Sequence, residues 1–147
     1  MEYATPPPIV VHSSSNAAHV DSTCRQLDLS VDDFHELRRQ SASAAENAYC
    51  PYSQFPVGAA VLTRERVALG RAVFEGHRDF KALAVLAAAA PSNMPSSPCG
   101  MCRQFIREFC ELDMPVLMFT KDGHYVAVKL GVLLPLSFGP DALGPRP

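Results

Sequence analysis

The segment SPCGMCRQFIREF, residues 97–109, places Cys99 and Cys102 three positions apart in front of an amphipathic run. Pro98 favours a helix that begins at about this position, because the first helical turn does not need the amide N–H that proline lacks. Both sulfurs then lie near the positive end of the helix dipole, which favours thiolates. Thiolates at this spacing indicate either a metal site or a thiol–disulfide site, and the spacing leaves both open.

The residues around the pair bear on that choice. No aromatic residue precedes Cys99, and the segment SNMPSSP, residues 92–98, indicates a loop. In thioredoxin-like proteins a strand, rather than a loop, precedes the motif. These features count against the redox interpretation. A catalytic zinc site uses three protein ligands and a water molecule. The metal interpretation therefore requires at least one ligand from elsewhere in the chain.

Length and composition indicate one ordinary globular domain. The chain has 147 residues, 48% of them hydrophobic, with 13 basic and 15 acidic side chains. No basic cluster indicates a nucleic acid or membrane surface as a partner, and the longest apolar run, residues 82–90, is too short for a membrane span of ~20 residues. The N-terminus lacks the pattern of a signal peptide. Five cysteines without such a signal predict a reducing, cytoplasmic location.

The pattern along the chain predicts three regions: a disordered N-terminal extension (1–28), a domain (29–143) and a C-terminal tail (144–147). Within the domain, Ser30 has the position of a helix N-cap, and Asp122-Gly123 has the composition of a hairpin turn. Apolar periodicity predicts the order helix, strand, helix, strand, helix, strand, strand. That order is typical of a three-layer α/β arrangement with a covered sheet.

Four blocks of the sequence resemble the small zinc-dependent cytidine deaminases, in the same order and covering residues 34–143. The blocks are AYCPYSQFPVGAAVLT (48–63), ERVALGRAVFEGHRDFKALAV (65–85), SPCGMCRQFIREF (97–109) and LLPLSFGPDAL (133–143). The resemblance implies a three-layer α/β/α cytidine deaminase-like fold with a mixed sheet. It also implies hydrolysis of cytidine or deoxycytidine to the uridine form in pyrimidine salvage, with Zn²⁺ as cofactor and a homo-oligomer, tetramer or dimer, as the assembly.

The resemblance also assigns roles to individual residues. Without the resemblance, the same residues would be interpreted as ordinary charges at a helix start and as core aromatics. Cys99 and Cys102 match the Pro-Cys-x-x-Cys half of the zinc deaminase signature. The other assignments are Glu65 as the proton carrier that is not a zinc ligand, Arg66 as a contact of the ligand thiolates, and Phe55 and Phe138 beside the bound pyrimidine.

The first half of the family signature is not intact. The position of the third zinc ligand is occupied by Thr63, whose hydroxyl is a poor zinc ligand, and the family's Asn-x-Glu-Asn stretch is absent from the chain. We predict that about two dozen residues, one edge strand and its loop, are missing after Leu62. The sheet would then lack an edge strand. Two other functions follow: a catalytically impaired or truncated deaminase-fold subunit active only in assembly or binding, and a Cys-x-x-Cys redox protein.

Overall fold

A mixed sheet forms the centre of the protein, with five strands in the residues that the structure describes. The computed structural model describes residues 8–63, 69–91 and 93–143. The strand order is β1-β5-β4-β3-β2; β3 and β4 are parallel, and the other neighbours are antiparallel. The strands are β1 (His12–Ser13), β2 (Val57–Leu62), β3 (Ala82–Ala87), β4 (Pro115–Phe119) and β5 (His124–Lys129).

Helices cover both faces of this sheet, which confirms the predicted three-layer α/β/α fold. On one face, Phe34 packs edge-on against Phe119 and Tyr125, with ring centroids 5.4 and 4.9 Å apart. On the other face, Ile106 and Leu130 pack with the buried strand residues. The helices are α1 (Ala17–Leu27), α2 (Val31–Glu46), α3 (Leu69–Phe74), α4 (Gly100–Phe109) and α5 (Leu130–Leu133), and a 3-10 turn follows at Pro140–Leu143.

Two local sequence signals are confirmed. The Ser30 side chain caps α2 by accepting the Asp33 amide N–H at 3.0 Å. Gly123 has a φ of +88° in the turn between β4 and β5, a conformation that glycine adopts without strain. Within the part of the chain that the structure describes, no helix is both long enough and apolar enough to cross a membrane.

The prediction of a disordered N-terminal extension is wrong for residues 12–27. Asn16 caps α1, Val20 and Cys24 are buried in the core, and the Thr23 hydroxyl lies 2.9 Å from the Tyr125 hydroxyl. β1 pairs with β5 and covers that edge of the sheet. The segment has few large apolar residues, so its order depends on contacts with distant residues rather than on its own periodicity. Residues 1–7 and the tail at 144–147 lie outside the described residues.

In the described residues, β2 is the last strand at the other end of the sheet. β2 pairs with β3 along its whole length, from Val57 opposite Ala87 to Leu62 opposite Ala82. Among residues 8–63, 69–91 and 93–143, no strand lies beyond β2. This edge carries no charged residue or proline, the usual devices that discourage pairing with other chains.

Candidate active site

The start of α4 brings Cys99 and Cys102 together. The helix begins at Gly100, two residues later than predicted, and Cys99 is its N-cap with an extended backbone. The Cys102 amide N–H donates to the Cys99 Sγ at 3.4 Å, and the two Sγ atoms are 3.1 Å apart. Both side chains are exposed. The local motif therefore forms a preorganised pair of sulfurs at the positive end of a helix.

The two thiols differ in acidity. The hydrogen bond between them is the main cause of a lowered pKa at Cys99, and backbone amide groups at the helix start act in the same direction. The same hydrogen bond, together with partial desolvation, raises the pKa of Cys102. Cys99 is therefore the thiol of the pair that ionises first.

A cavity of about 820 Å³ adjoins the two sulfurs. Its volume lies in the range of ~300–1,000 Å³ that is typical of small-molecule sites. The walls come from β2, β3, α3, α4 and the segment before α4, and their side chains are mostly apolar. Met101 and Phe105 on the wall of α4 are 85% and 46% exposed. The sulfurs thus lie beside an apolar space that is large enough for a nucleoside.

Phe55 reaches this cavity from the loop between α2 and β2. The Gln54 amide donates to the Cys50 carbonyl at 2.9 Å, and Gln54 has a φ of +50°, so the chain turns immediately before Phe55. The Phe55 side chain remains 40% exposed. Its ring is therefore available to a planar ligand.

The structure does not bring all of the predicted residues together. Phe138 does not line this cavity; its side chain is 58% exposed, and its carbonyl accepts from Gln104 Nε2 at 3.1 Å. Glu65 and Arg66 lie outside the described residues. Thr63, at the family's third ligand position, is buried at the end of β2.

Arg103, which the sequence analysis did not single out, connects α4 to the loop before it. Its guanidinium donates to the Pro98 carbonyl at 2.8 Å, the Ser97 hydroxyl at 2.6 Å and the Leu133 carbonyl at 2.7 Å. Hydrogen bonds from a charged group are stronger than neutral ones. Arg103 thereby holds the residues on the N-terminal side of Cys99 and the end of α5. Its position directly after the second cysteine is the only sequence signal for this role.

We expect Arg103→Met to weaken metal binding by about 10–100-fold, the usual effect of losing groups that orient metal ligands. Arg103→Lys should lose less, because an ammonium group can keep one of the three bonds. Titration with Co²⁺, followed by its thiolate absorption, measures the affinity. Arg71→Met, which breaks an exposed ion pair with Glu75, is the matched control and should leave affinity unchanged. Equal affinities for the Arg103→Met and Arg71→Met variants would contradict the role of Arg103.

A second arginine of α4 lies against the segment that carries Phe138. The Arg107 side chain is buried, and its Nη1 donates to the Cys110 carbonyl at 3.3 Å. A Cβ added to Gly139 would overlap the Arg107 guanidinium. Glycine at this position therefore allows the backbone after Phe138 to lie directly on α4.

The cysteine pair satisfies part of a zinc site. Sulfurs 3.1 Å apart can both bind one ion at the usual Zn–S distance of about 2.3 Å. All five histidines and five cysteines of the sequence lie in the described ranges. Within those ranges, no three His, Cys, Asp or Glu residues form a group that could hold a metal ion. Two thiolate ligands fit zinc, and among the described residues no histidine or third cysteine accompanies them.

These features define a class of protein: an α/β/α fold with paired thiolates beside an apolar, ligand-sized cavity. A cytidine deaminase from Sporosarcina psychrophila is 39% identical over 132 residues, which cover 76% of this chain and 95% of that protein. One from Halalkalibacterium halodurans is 35% identical over 127 residues, covering 72% and 94%. No family model matches the chain.

Solved structures agree with these relatives. The crystal structure of a cytidine deaminase from Burkholderia pseudomallei has a TM-score of 0.62 and 30% identity, covering 71% of this chain and 98% of its own. That of a mutant cytidine deaminase from Mycobacterium tuberculosis has a TM-score of 0.57 and 27% identity, covering 75% and 98%. The present chain belongs to the cytidine deaminase family.

The alignment to the Sporosarcina psychrophila protein also supports the predicted loss of a segment. It has 132 positions, yet it includes 76% of the 147 residues, about 112. About 20 positions of the relative therefore have no counterpart in this chain. This number is close to the two dozen residues that the sequence predicts to be missing.

Proposed function

We propose that this protein catalyses the hydrolytic deamination of cytidine and deoxycytidine to the corresponding uridine nucleosides, with release of ammonia. The observation that carries the proposal is the 39% identity to a cytidine deaminase across 95% of that relative's length. The paired thiols of Cys99 and Cys102 beside a cavity of about 820 Å³ support it.

The reaction replaces the C4–NH₂ bond of the cytosine ring with a C4=O bond. Cys99 and Cys102 would hold the Zn²⁺ ion of the proposed site, which, when bound, supplies hydroxide near neutral pH. Phe55 offers a ring face for the pyrimidine, and Val57 and Phe105 form apolar walls of the cavity beside it. These residues bind and orient the base next to the two sulfurs.

The proton must be carried from the attacking water to the ring and then to the leaving ammonia. We assign this step to Glu65 because it occupies the position of the family's catalytic glutamate in the sequence. The proposal also includes Arg66 as a contact of the ligand thiolates and Phe138 as a second ring near the base.

The wider setting is also a proposal. Family membership and the absence of basic clusters in the sequence support a cytoplasmic enzyme of pyrimidine salvage that acts on free nucleosides rather than on nucleic acid. The exposed apolar residues that line the cavity, including Val57, Met101 and Phe105, support assembly into a homo-oligomer, dimer or tetramer, because large exposed apolar patches mark interfaces.

The test is uridine formation by the purified chain in the presence of zinc, followed by chromatography over long incubations. We expect slow turnover, below about 1 s⁻¹ at the low end of the usual enzyme range, because one zinc ligand and the family's Asn-x-Glu-Asn stretch are missing. Cys99→Ser and Cys102→Ser should reduce uridine formation to the level without enzyme. Cys50→Ser, which changes a half-buried thiol outside the pair, should leave it unchanged. Equal rates in all four chains would overturn the proposal.

A further inference from the structure

The Cys99–Cys102 pair has the geometry of a dithiol as well as that of a partial metal site. The two sulfurs are 3.1 Å apart, about 1 Å more than a disulfide bond length. Cys99 lies outside the helix as its N-cap, with ψ at 166°. Its side chain is therefore not confined by the packing of a helical turn, and it can close this gap by a small rotation.

We propose that Cys99 and Cys102 form a reversible intramolecular disulfide by exchange with a low-molecular-weight disulfide such as oxidised glutathione. The deaminase relationship does not assign this modification site. The disulfide proposal rests on the proposed function only in its consequence for metal binding. A disulfide between the two sulfurs would leave neither thiolate free to bind a metal ion.

Exposure and the arrangement of the pair determine the order of attack. Both thiols are exposed, but only Cys99 lies outside the helix, and its sulfur already accepts the amide N–H of Cys102. An incoming disulfide meets the open cavity of about 820 Å³ on the side of both sulfurs. Cys99 is therefore the entering nucleophile, and Cys102, one helical turn away, is the resolving thiol.

The exchange balances without any further reactant. The Cys99 sulfur attacks one sulfur of oxidised glutathione, forms a mixed disulfide and releases one glutathione. The Cys102 sulfur then attacks the Cys99 sulfur and releases the second glutathione. The two cysteine sulfurs lose two electrons, which oxidised glutathione gains. The two thiol protons end on the two released glutathione molecules.

The other three cysteines do not compete for this chemistry. Cys24 and Cys110 are buried at 3% and 5% exposure. Cys50 is half-buried, and its thiol donates to the Ala48 carbonyl at 3.8 Å. No thiol besides Cys99 and Cys102 lies within hydrogen-bond distance of another thiol in the described residues. An intramolecular disulfide at this pair is therefore the expected product.

The experiment uses the full chain, stripped of metal by a chelator and equilibrated in buffers of different reduced-to-oxidised glutathione ratios. Free thiols are then alkylated and counted by intact mass and peptide mapping. We expect Cys99 and Cys102 to lose reactivity together, with a mass lower by two hydrogen atoms, in the parent and in Cys50→Ser. Cys99→Ser and Cys102→Ser should show no such species. Persistent glutathione adducts in the parent, or alkylation of both thiols in oxidised glutathione alone, would overturn the proposal.

A zinc-loaded sample separates this proposal from the metal assignment. If zinc is held by these two thiolates, it should slow disulfide formation several-fold relative to the stripped chain. Disulfide formation at an equal rate with and without zinc would contradict the metal assignment and support the dithiol proposal. Failure of the stripped chain to form the disulfide would contradict the dithiol proposal alone.

Discussion

Inserting, between Leu62 and Glu65, the segment that the relatives have and this chain lacks is expected to raise the rate of cytidine deamination by about 10⁴-fold. Polar recognition groups of a substrate alone contribute discrimination of this order, and the family's third zinc ligand would be restored by the same insertion. The alignment indicates an insertion of about 20 residues, taken from the Sporosarcina psychrophila protein. Initial rates from cytidine absorbance, with and without zinc, measure the effect.

The control is an insertion of equal length composed of glycine and serine. It lengthens the connection between β2 and α3 without adding a ligand or a recognition group, so its rate should match that of the unaltered chain. Turnover above about 1 s⁻¹ from the unaltered 147-residue chain would contradict the expectation, because it lies in the ordinary range for enzymes. Residues to which no catalytic or ligand role is assigned would then complete the site.

Gly58→Ala is expected to lower the free energy of unfolding by about 3 kcal/mol or more, the upper end for overpacked cores. A Cβ at this position of β2 would overlap the Ser41 carbonyl oxygen and the Ala45 amide nitrogen of α2. Both atoms belong to the helix backbone, which cannot rotate away as a flexible side chain can. The whole of α2 would have to move off the sheet, and Phe34 and Leu37 would lose core contacts.

Gly70→Ala is the matched control for this substitution. The nearest atom to an added Cβ there is Phe105 Cζ at 4.0 Å, which is an ordinary contact distance. Because Gly70 lies within α3, alanine should stabilise the helix by up to about 1 kcal/mol. Urea unfolding of both variants measures the difference. A Gly58→Ala chain as stable as the Gly70→Ala chain would show that α2 does not lie this close to β2.

The parts of the protein that depend on neighbouring residues were predictable from the sequence. The Ser30 cap, the Asp122-Gly123 turn and the Cys99–Cys102 pair each depend on residues within three positions of one another. Apolar periodicity predicted the order of helices and strands in the domain, and β3 is a short and continuous apolar run of the kind typical of a buried strand.

Contacts between distant parts of the chain decided the rest. α1 is ordered because Thr23 meets Tyr125, 102 positions later in the chain, which no local pattern of residues 1–28 indicates. Arg103 holds the Leu133 carbonyl 30 positions away, and Phe55 meets the cysteine pair only through the cavity between β2 and α4. Hydrophobic burial is non-directional, so periodicity shows which side of an element is buried but not which partner covers it. Tertiary packing alone therefore decided which residues contact α1 and Arg103 and which residues line the cavity.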